Sequence, residues 1–160
     1  MTDFNHGAFI ADLRKRRGKV PQDLYDDIMA ALAVGQGKAT VAPKGKLPWL
    51  EEARSHIGLK EVAGKAHNTK ILQWVKKLGG WFTDDETPWC GTFVGYCMTI
   101  AGQTVHKNWF RARDWETWGK QSPARVGAVV VFSREGGGHV GFLVGESAAN
   151  YYVLGGNQSN

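Results

Sequence analysis

Asp84-Asp85-Glu86-Thr87-Pro88-Trp89-Cys90-Gly91-Thr92-Phe93-Val94-Gly95-Tyr96-Cys97 carries an acidic turn into a proline, a tryptophan and then a cysteine. Apolar residues follow at helical spacing (Phe93, Val94, Tyr96, Cys97 and Ile100), which predicts a helix that opens at or near Cys90 and ends around Gly102. The first turn of a helix carries unsatisfied backbone N–H groups and the positive end of the macrodipole. Both favour a thiolate over a thiol, so Cys90 is a candidate nucleophile. The competing reading is a cysteine buried as a small hydrophobe, which suits Cys97 within the apolar stripe.

Upstream, Pro48 opens a helix with Trp49, Leu50, Ala53 and Ile57, and Gly58 stands where its C′ residue belongs. Glu61 to His67 reads as a loop. Asn68 caps a further helix with Ile71, Leu72, Trp74, Val75 and Leu78, closed by Gly79-Gly80. Downstream, spacings of three and four predict a helix from Trp109 to Trp118. After Pro123 the pattern becomes that of strands: Val126 to Phe132, His139 to Val144 and Tyr151 to Leu154, with a turn from Ser133 to Gly138. Helices first and a short antiparallel sheet afterwards predict an α+β domain over residues 47–160.

Ahead of it, residues 1–34 read as a helical hairpin. Phe4, Ala8, Phe9 and Leu13 mark its first helix, Gly18 ends that helix, and Pro21 opens a second one with Leu24, Ile28, Met29 and Leu32. Residues 35–46, rich in Gly, Pro and Lys, read as a linker.

The 160 residues are 42% hydrophobic and 22% charged, as in a folded domain, and the formal net charge is +5. That excess favours anionic partners, yet much of it sits in Arg14 to Arg17 and Lys19, which reads first as a solvated helix end. No nucleic-acid recognition motif accompanies the patch, so nucleic acid is not an expected partner. No apolar run approaches the roughly 18 residues of a membrane span. The first residues lack the charged and apolar regions of a secretory signal. Two turns of helix would separate Cys90 from Cys97 by about 10 Å, too far for a disulfide, so free thiols are expected. Seven tryptophans exceed what a core of this size needs, and Trp81, Trp89, Trp109 and Trp115 are candidate walls of a groove.

His139 is the candidate partner for Cys90. It opens a strand directly after Gly136-Gly137-Gly138, with Gly141 on the same face. The other reading is an inert strand-edge histidine, which fits His6, His56, His67 and His106 better. Beside an imidazolium and a helix start, a thiol pKa falls from about 8.5 to roughly 3.5–7.5. The imidazole then protonates a departing amine. A third polar group normally fixes the ring. Asn157 is the candidate, with tight-turn chemistry as its other reading and Gln158 as the nearest substitute.

Thr87-Pro88-Trp89-Cys90-Gly91-Thr92-Phe93-Val94, Gly138-His139-Val140-Gly141-Phe142 and Leu154-Gly155-Gly156-Asn157-Gln158 together resemble the NlpC/P60 and CHAP cysteine peptidases, the papain-like hydrolases of bacterial peptidoglycan, in a phage- and prophage-associated branch. The resemblance covers roughly residues 47–160. It implies a papain-like fold with helices packed on a small antiparallel sheet, and more sheet after Asn157 than the residues to Asn160 supply. It further implies Cys90 as nucleophile, His139 as base and acid, and Asn157 as orienting residue. The activity implied is cleavage of an amide of the stem peptide, as endopeptidase or N-acetylmuramoyl-L-alanine amidase.

Trp89, Asp84, Asp85, Glu86, Trp109 and Gln158 are the expected substrate contacts. Three adjacent acids do not supply the alternating oxygen ligands of a calcium loop, so neither a metal nor a cofactor is expected. The expected partner is bacterial peptidoglycan, and the expected state a monomer. Without a signal peptide, a lysin made in the host cytoplasm and acting in the periplasm or cell wall is the first expectation. An injected antibacterial effector of the same chemistry, or a non-catalytic wall-binding module, are the alternatives.

Overall fold

Three helices, a short 3-10 helix and three strands follow one another along the chain in the computed structural model, which describes residues 47–64, 66–146 and 150–158. The expected hairpin 1–34 and linker 35–46 lie outside the described residues. Helix α1 spans Pro48–Ser55, α2 Thr69–Lys77 and α3 Cys90–Ile100; the 3-10 helix spans Ala112–Thr117; β1 is Val129–Arg134, β2 Gly137–Glu146 and β3 Tyr151–Leu154. The architecture is α+β, with a three-stranded antiparallel sheet in the order β1-β2-β3.

Helix α3 is the centre of the packing. Eight of its eleven residues are buried, so it is apolar nearly all round rather than along one stripe. Leu50 and Ala53 of α1 and Trp74 and Val75 of α2 join its Phe93, Val94 and Cys97 in one core with Val140 and Phe142 of the sheet. Phe93 bridges the two sides, its ring 6.1 Å from Trp74 and 6.1 Å from Phe142. Truncating a ring in such a place costs about 3–5 kcal/mol. Gly91 explains why a poor helix former is kept in the first turn: a Cβ there would lie 2.4 Å from the Trp109 carbonyl oxygen.

The helix starts follow the sequence signals. Pro48 occupies the first turn of α1, and the Asn68 side chain accepts a hydrogen bond from the Lys70 N–H at 3.0 Å, capping α2. Gly79, at φ 72°, ends α2 in the left-handed region.

Three expectations are corrected. Trp109 to Trp118 is not a helix throughout; only Ala112–Thr117 is regular, as a 3-10 helix. The indoles dictate this, because Trp109, Trp115 and Trp118 donate to three different carbonyls, those of Leu78, Trp109 and Thr104. Carbonyls 109 and 110 also pack directly against Gly91, which no regular helix surface would allow. The first strand begins at Val129 rather than Val126, because Gly127 takes φ 90°, although its N–H still reaches Leu143 O at 2.7 Å. The glycine turn also shortens. Ser133 pairs with Gly138 and Arg134 with Gly137, leaving only Glu135 and Gly136 at the tip.

Register divides the sheet into two faces. Val129, Val131, Val140, Phe142 and Leu154 share the face toward α3, and Val130, Phe132, His139, Gly141, Leu143 and Val153 the other. A bulge between Leu143 and Gly145 leaves Val144 opposite no residue of β3, so the pairing slips by one residue beyond it, to Gly145 with Tyr152.

Candidate active site

Cys90 is the first residue of α3, as expected, and only 4% of its surface reaches solvent. The N–H groups of this first turn have no acceptor one turn back, so they point outward from the helix end beside the thiol. Cys97 lies two turns on and is fully buried, and burial pushes its thiol pKa well up, with the Glu52 carboxylate adding to the effect. Position on the same helix thus separates the two cysteines: one at the dipole end, one in the core.

His139 sits near the start of β2 and is half-buried, cross-strand from Phe132, with the rings stacked at 6.4 Å. The segment after β3 connects this histidine to the helix start. A Cβ on Gly155 would lie 2.9 Å from His139 Nε2, and one on Gly156 would lie 2.5 Å from the Trp89 ring and 2.7 Å from Phe93 Cβ. Gly155 therefore faces the imidazole while Gly156 rests on the first turn of α3. Only glycine fits at either position. The turn Gly155–Gln158 brings the three sequence motifs together.

Asn157 takes φ 54° at the corner of this turn, a left-handed conformation that asparagine tolerates better than most residues. Gln158 makes the ring contact that sequence reasoning held in reserve: its Nε2 lies 3.1 Å from His139 Nε2. Its Oε1 accepts from Gly155 N–H at 3.3 Å, so the amide NH₂ is the group turned to the imidazole. Donation to Nε2 places the neutral ring's proton on Nδ1.

The acidic turn differs from expectation. Asp85 is not a surface contact: it is 0% exposed and accepts from Val62 N–H at 2.7 Å, Asn68 N–H at 2.7 Å and His67 Nδ1 at 3.0 Å. Burial alone would raise its pKa, but these hydrogen bonds outweigh it and hold the carboxyl below its ordinary range. Asp84 accepts from both the N–H and the hydroxyl of Thr87, which likewise lowers its pKa. Glu86 is exposed and reaches Gly64 N–H. Asp85 and Glu86 thus fasten the loop before α2 to the turn before the thiol, while Asp84 braces that turn through Thr87. Sequence reading missed His67 and Val62 in this role; their partner lies about twenty residues on, beyond any local pattern.

Trp89 and Trp109 are also corrected. Both are buried, Trp89 under Gly156 and Trp109 against Gly80 and Phe82, so they shape the site from beneath. Trp115 is core as well, whereas Trp81 stands 78% exposed. Trp89 Nε1 and Thr92 Oγ1 flank Cys90 in the chain, buried without a hydrogen-bond partner among the described residues. A cleft of about 1260 Å³ elsewhere is lined by Leu47, Trp49, Trp118, Arg125 and Tyr151, and by none of Cys90, His139 or Gln158. It is therefore separate from the thiol and imidazole. Among the described residues no group of His, Cys, Asp or Glu is arranged to hold a metal, and no helix is long and apolar enough to cross a membrane.

No curated protein and no solved structure matches the chain significantly. A family model does, from Phe82 just ahead of the acidic turn to Asn157 in the turn that faces His139: residues 82–157 of this chain match the CHAP domain, a match consistent with the NlpC/P60–CHAP superfamily.

Proposed function

We propose that this protein hydrolyses an amide bond of the peptidoglycan stem peptide, with Cys90 as nucleophile, His139 as acid and base, and Asn157 and Gln158 holding the ring. A CHAP domain points to peptidoglycan hydrolysis of the amidase or endopeptidase type. The observation that carries the residue-level reading is the Gly155–Gln158 turn, which touches the imidazole on one side and the Cys90 turn on the other.

The chemistry follows from those groups. The Cys90 thiolate attacks the amide carbonyl carbon, and the oxygen takes up the negative charge beside the helix N–H groups. His139, as imidazolium, gives its proton to the amine nitrogen as the C–N bond breaks, leaving a thioester on Cys90. Neutral His139 then removes a proton from water. The hydroxide adds to the thioester carbonyl, the thiolate departs, and the product is a carboxylic acid with Cys90 restored.

Purified peptidoglycan tests this. Wild-type protein releases soluble fragments, and Cys90→Ala does not; equal release by both would sink the proposal. Mass spectrometry of the products names the bond: new free muramic acid ends mean amidase, new stem-peptide termini mean endopeptidase.

A second reading, a wall-binding module without catalysis, draws support from the slight exposure of Cys90. Iodoacetamide at neutral pH separates the two, because a catalytic thiolate is alkylated in the native state and a structural thiol is not. The biological setting proposed is a phage or prophage lysin acting on the wall from inside, as a monomer.

A further inference from the structure

Trp81 is the one tryptophan of the seven that the fold leaves outside, with 78% of its surface exposed. Trp49, Trp109, Trp115 and Trp118 each place the indole N–H on a backbone carbonyl. Trp81 has no such carbonyl among the described residues. An exposed indole on a mobile tip would mean little, but this one has a rigid mount. Gly79 and Gly80 close α2 through N–H bonds to Lys76 O at 3.1 Å and Val75 O at 2.8 Å. Gly80 itself is wedged so tightly that a Cβ would lie 2.5 Å from Val75 Cγ1 and 2.9 Å from the Trp109 ring.

The indole is also continuous with the candidate active site. It meets Phe82 edge-on at 5.7 Å, Phe82 lies 6.0 Å from Trp109, and Trp109 meets Phe110 edge-on at 5.6 Å. The backbone carbonyls of Trp109 and Phe110 press against Gly91, the residue after Cys90. A row of aromatic rings therefore runs from the exposed Trp81 to the first turn of α3. Phe82 and Trp109 within it are buried and fix its direction; its outer member, Trp81, presents a flat face to solvent.

The chemistry of that face selects a ligand class. Lys76, Lys77 and Thr83 beside it in the chain are exposed and polar, so Trp81 is a single aromatic face in polar surroundings rather than part of a broad apolar patch. A protein partner would need a wider apolar area. A pyranose ring offers the complement: one face of C–H groups to lie on the negative π face, and hydroxyl or acetamido groups at its edge for the polar rim.

We propose that Trp81 is a stacking platform for an N-acetylated amino sugar of the glycan strand, holding the polymer while its stem peptide reaches Cys90. The identity of the polymer rests on the hydrolase reading; the platform itself does not require hydrolysis.

The test is a binding measurement in the full-length Cys90→Ala background. Soluble β-1,4-linked N-acetylglucosamine oligomers are titrated against it, and purified peptidoglycan is used in a pelleting assay. Adding Trp81→Ala weakens both by fivefold or more, whereas Trp81→Phe stays within about twofold of the parent. The oligomer also shields one tryptophan from acrylamide quenching in the parent and none in the Trp81→Ala protein. Circular dichroism confirms that the variants fold alike. Equal binding by Trp81→Ala, or absence of oligomer binding by the parent, overturns the platform. Failure of the hydrolase reading shows up elsewhere, as wild-type protein that releases no more fragments than Cys90→Ala.

Discussion

The carboxamide of Gln158 lies 3.1 Å from Nε2 of His139, with its oxygen turned back to the Gly155 N–H. In this arrangement the amide donates to the neutral ring and opposes a proton on Nε2. Forming the imidazolium requires the amide to rotate and present its oxygen. Gln158→Ala should therefore lower peptidoglycan hydrolysis roughly five- to tenfold, the worth of about one hydrogen bond. Gln158→Glu should shift the alkaline limb of the kcat/KM pH profile upward, because a carboxylate stabilises the charged ring that protonates the departing amine. An unshifted profile would remove Gln158 from the ring's environment.

Gly156→Ala tests the turn from the other side. A Cβ there overlaps the Trp89 ring, so the turn must lift from α3. Activity should fall by more than tenfold while thermal stability falls only modestly, by about 1–3 kcal/mol for overpacking. Peptidoglycan turnover and a melting curve on the same sample decide between a displaced site and a lost fold.

Asp85→Asn should destabilise by about 3 kcal/mol. It removes a buried carboxylate that accepts from two backbone N–H groups and a histidine, and one amide oxygen cannot serve all three. Urea denaturation measures the loss, and hydrogen exchange should report the Val62 and Asn68 amides opening first.

Acid should unfold the protein in two stages. His106 is held below its ordinary value of 6.5 chiefly by burial, with Asp114 opposing, and its ring meets Trp115 edge-on. His56 is lowered by burial too, with Glu52 opposing. A histidine with a depressed folded pKa leaves the unfolded chain the better proton binder. Stability is therefore complete above pH 6.5 and declines as pH falls below it. Asp84 and Asp85 are depressed from 3.8, so their contribution is present above that pH and lost further down. Melting temperatures from about pH 8 to about pH 3 should show both declines. His106→Phe should make the first decline shallower, leaving the share of His56, and leave the second unchanged.

Cys97→Ser should destabilise by about 1–3 kcal/mol, since it puts a hydroxyl into a fully buried apolar site, while Cys97→Ala costs less. Alkylation of the native protein followed by peptide mapping should find the adduct on Cys90 alone.

Local chemistry made the helices legible. Pro48, Asn68 and Gly79 each act within one turn, and the apolar spacing after Cys90 needs no partner to be read. The strand faces were legible too, because alternation places His139, Gly141 and Leu143 together. Distant partners were not legible. The Trp109 to Trp118 spacing looks helical until three indoles each take a different carbonyl. Asp85 looks solvated until Val62, His67 and Asn68 close over it. Trp89 and Trp109 looked like groove walls because composition counts aromatic residues without saying which way they face. At the candidate site, the order of Cys90, His139 and the Gly155–Gln158 turn was readable. Which side chain of that turn meets the imidazole depends on a left-handed Asn157 that no pattern announces.

The two-residue tip of the β1–β2 hairpin gives the molecule a place to be engineered. A side chain at Gly136 would meet nothing within 4 Å, and the pairing of Arg134 with Gly137 closes the ladder beneath it. A dye, an affinity tag or a foreign targeting module spliced between Glu135 and Gly136 would hang in solvent and leave the ladder intact. The loop from Glu61 to Asn68 looks as permissive in the sequence, but it is stitched to Asp85, so an insertion there would pull on the residues that lead into Cys90.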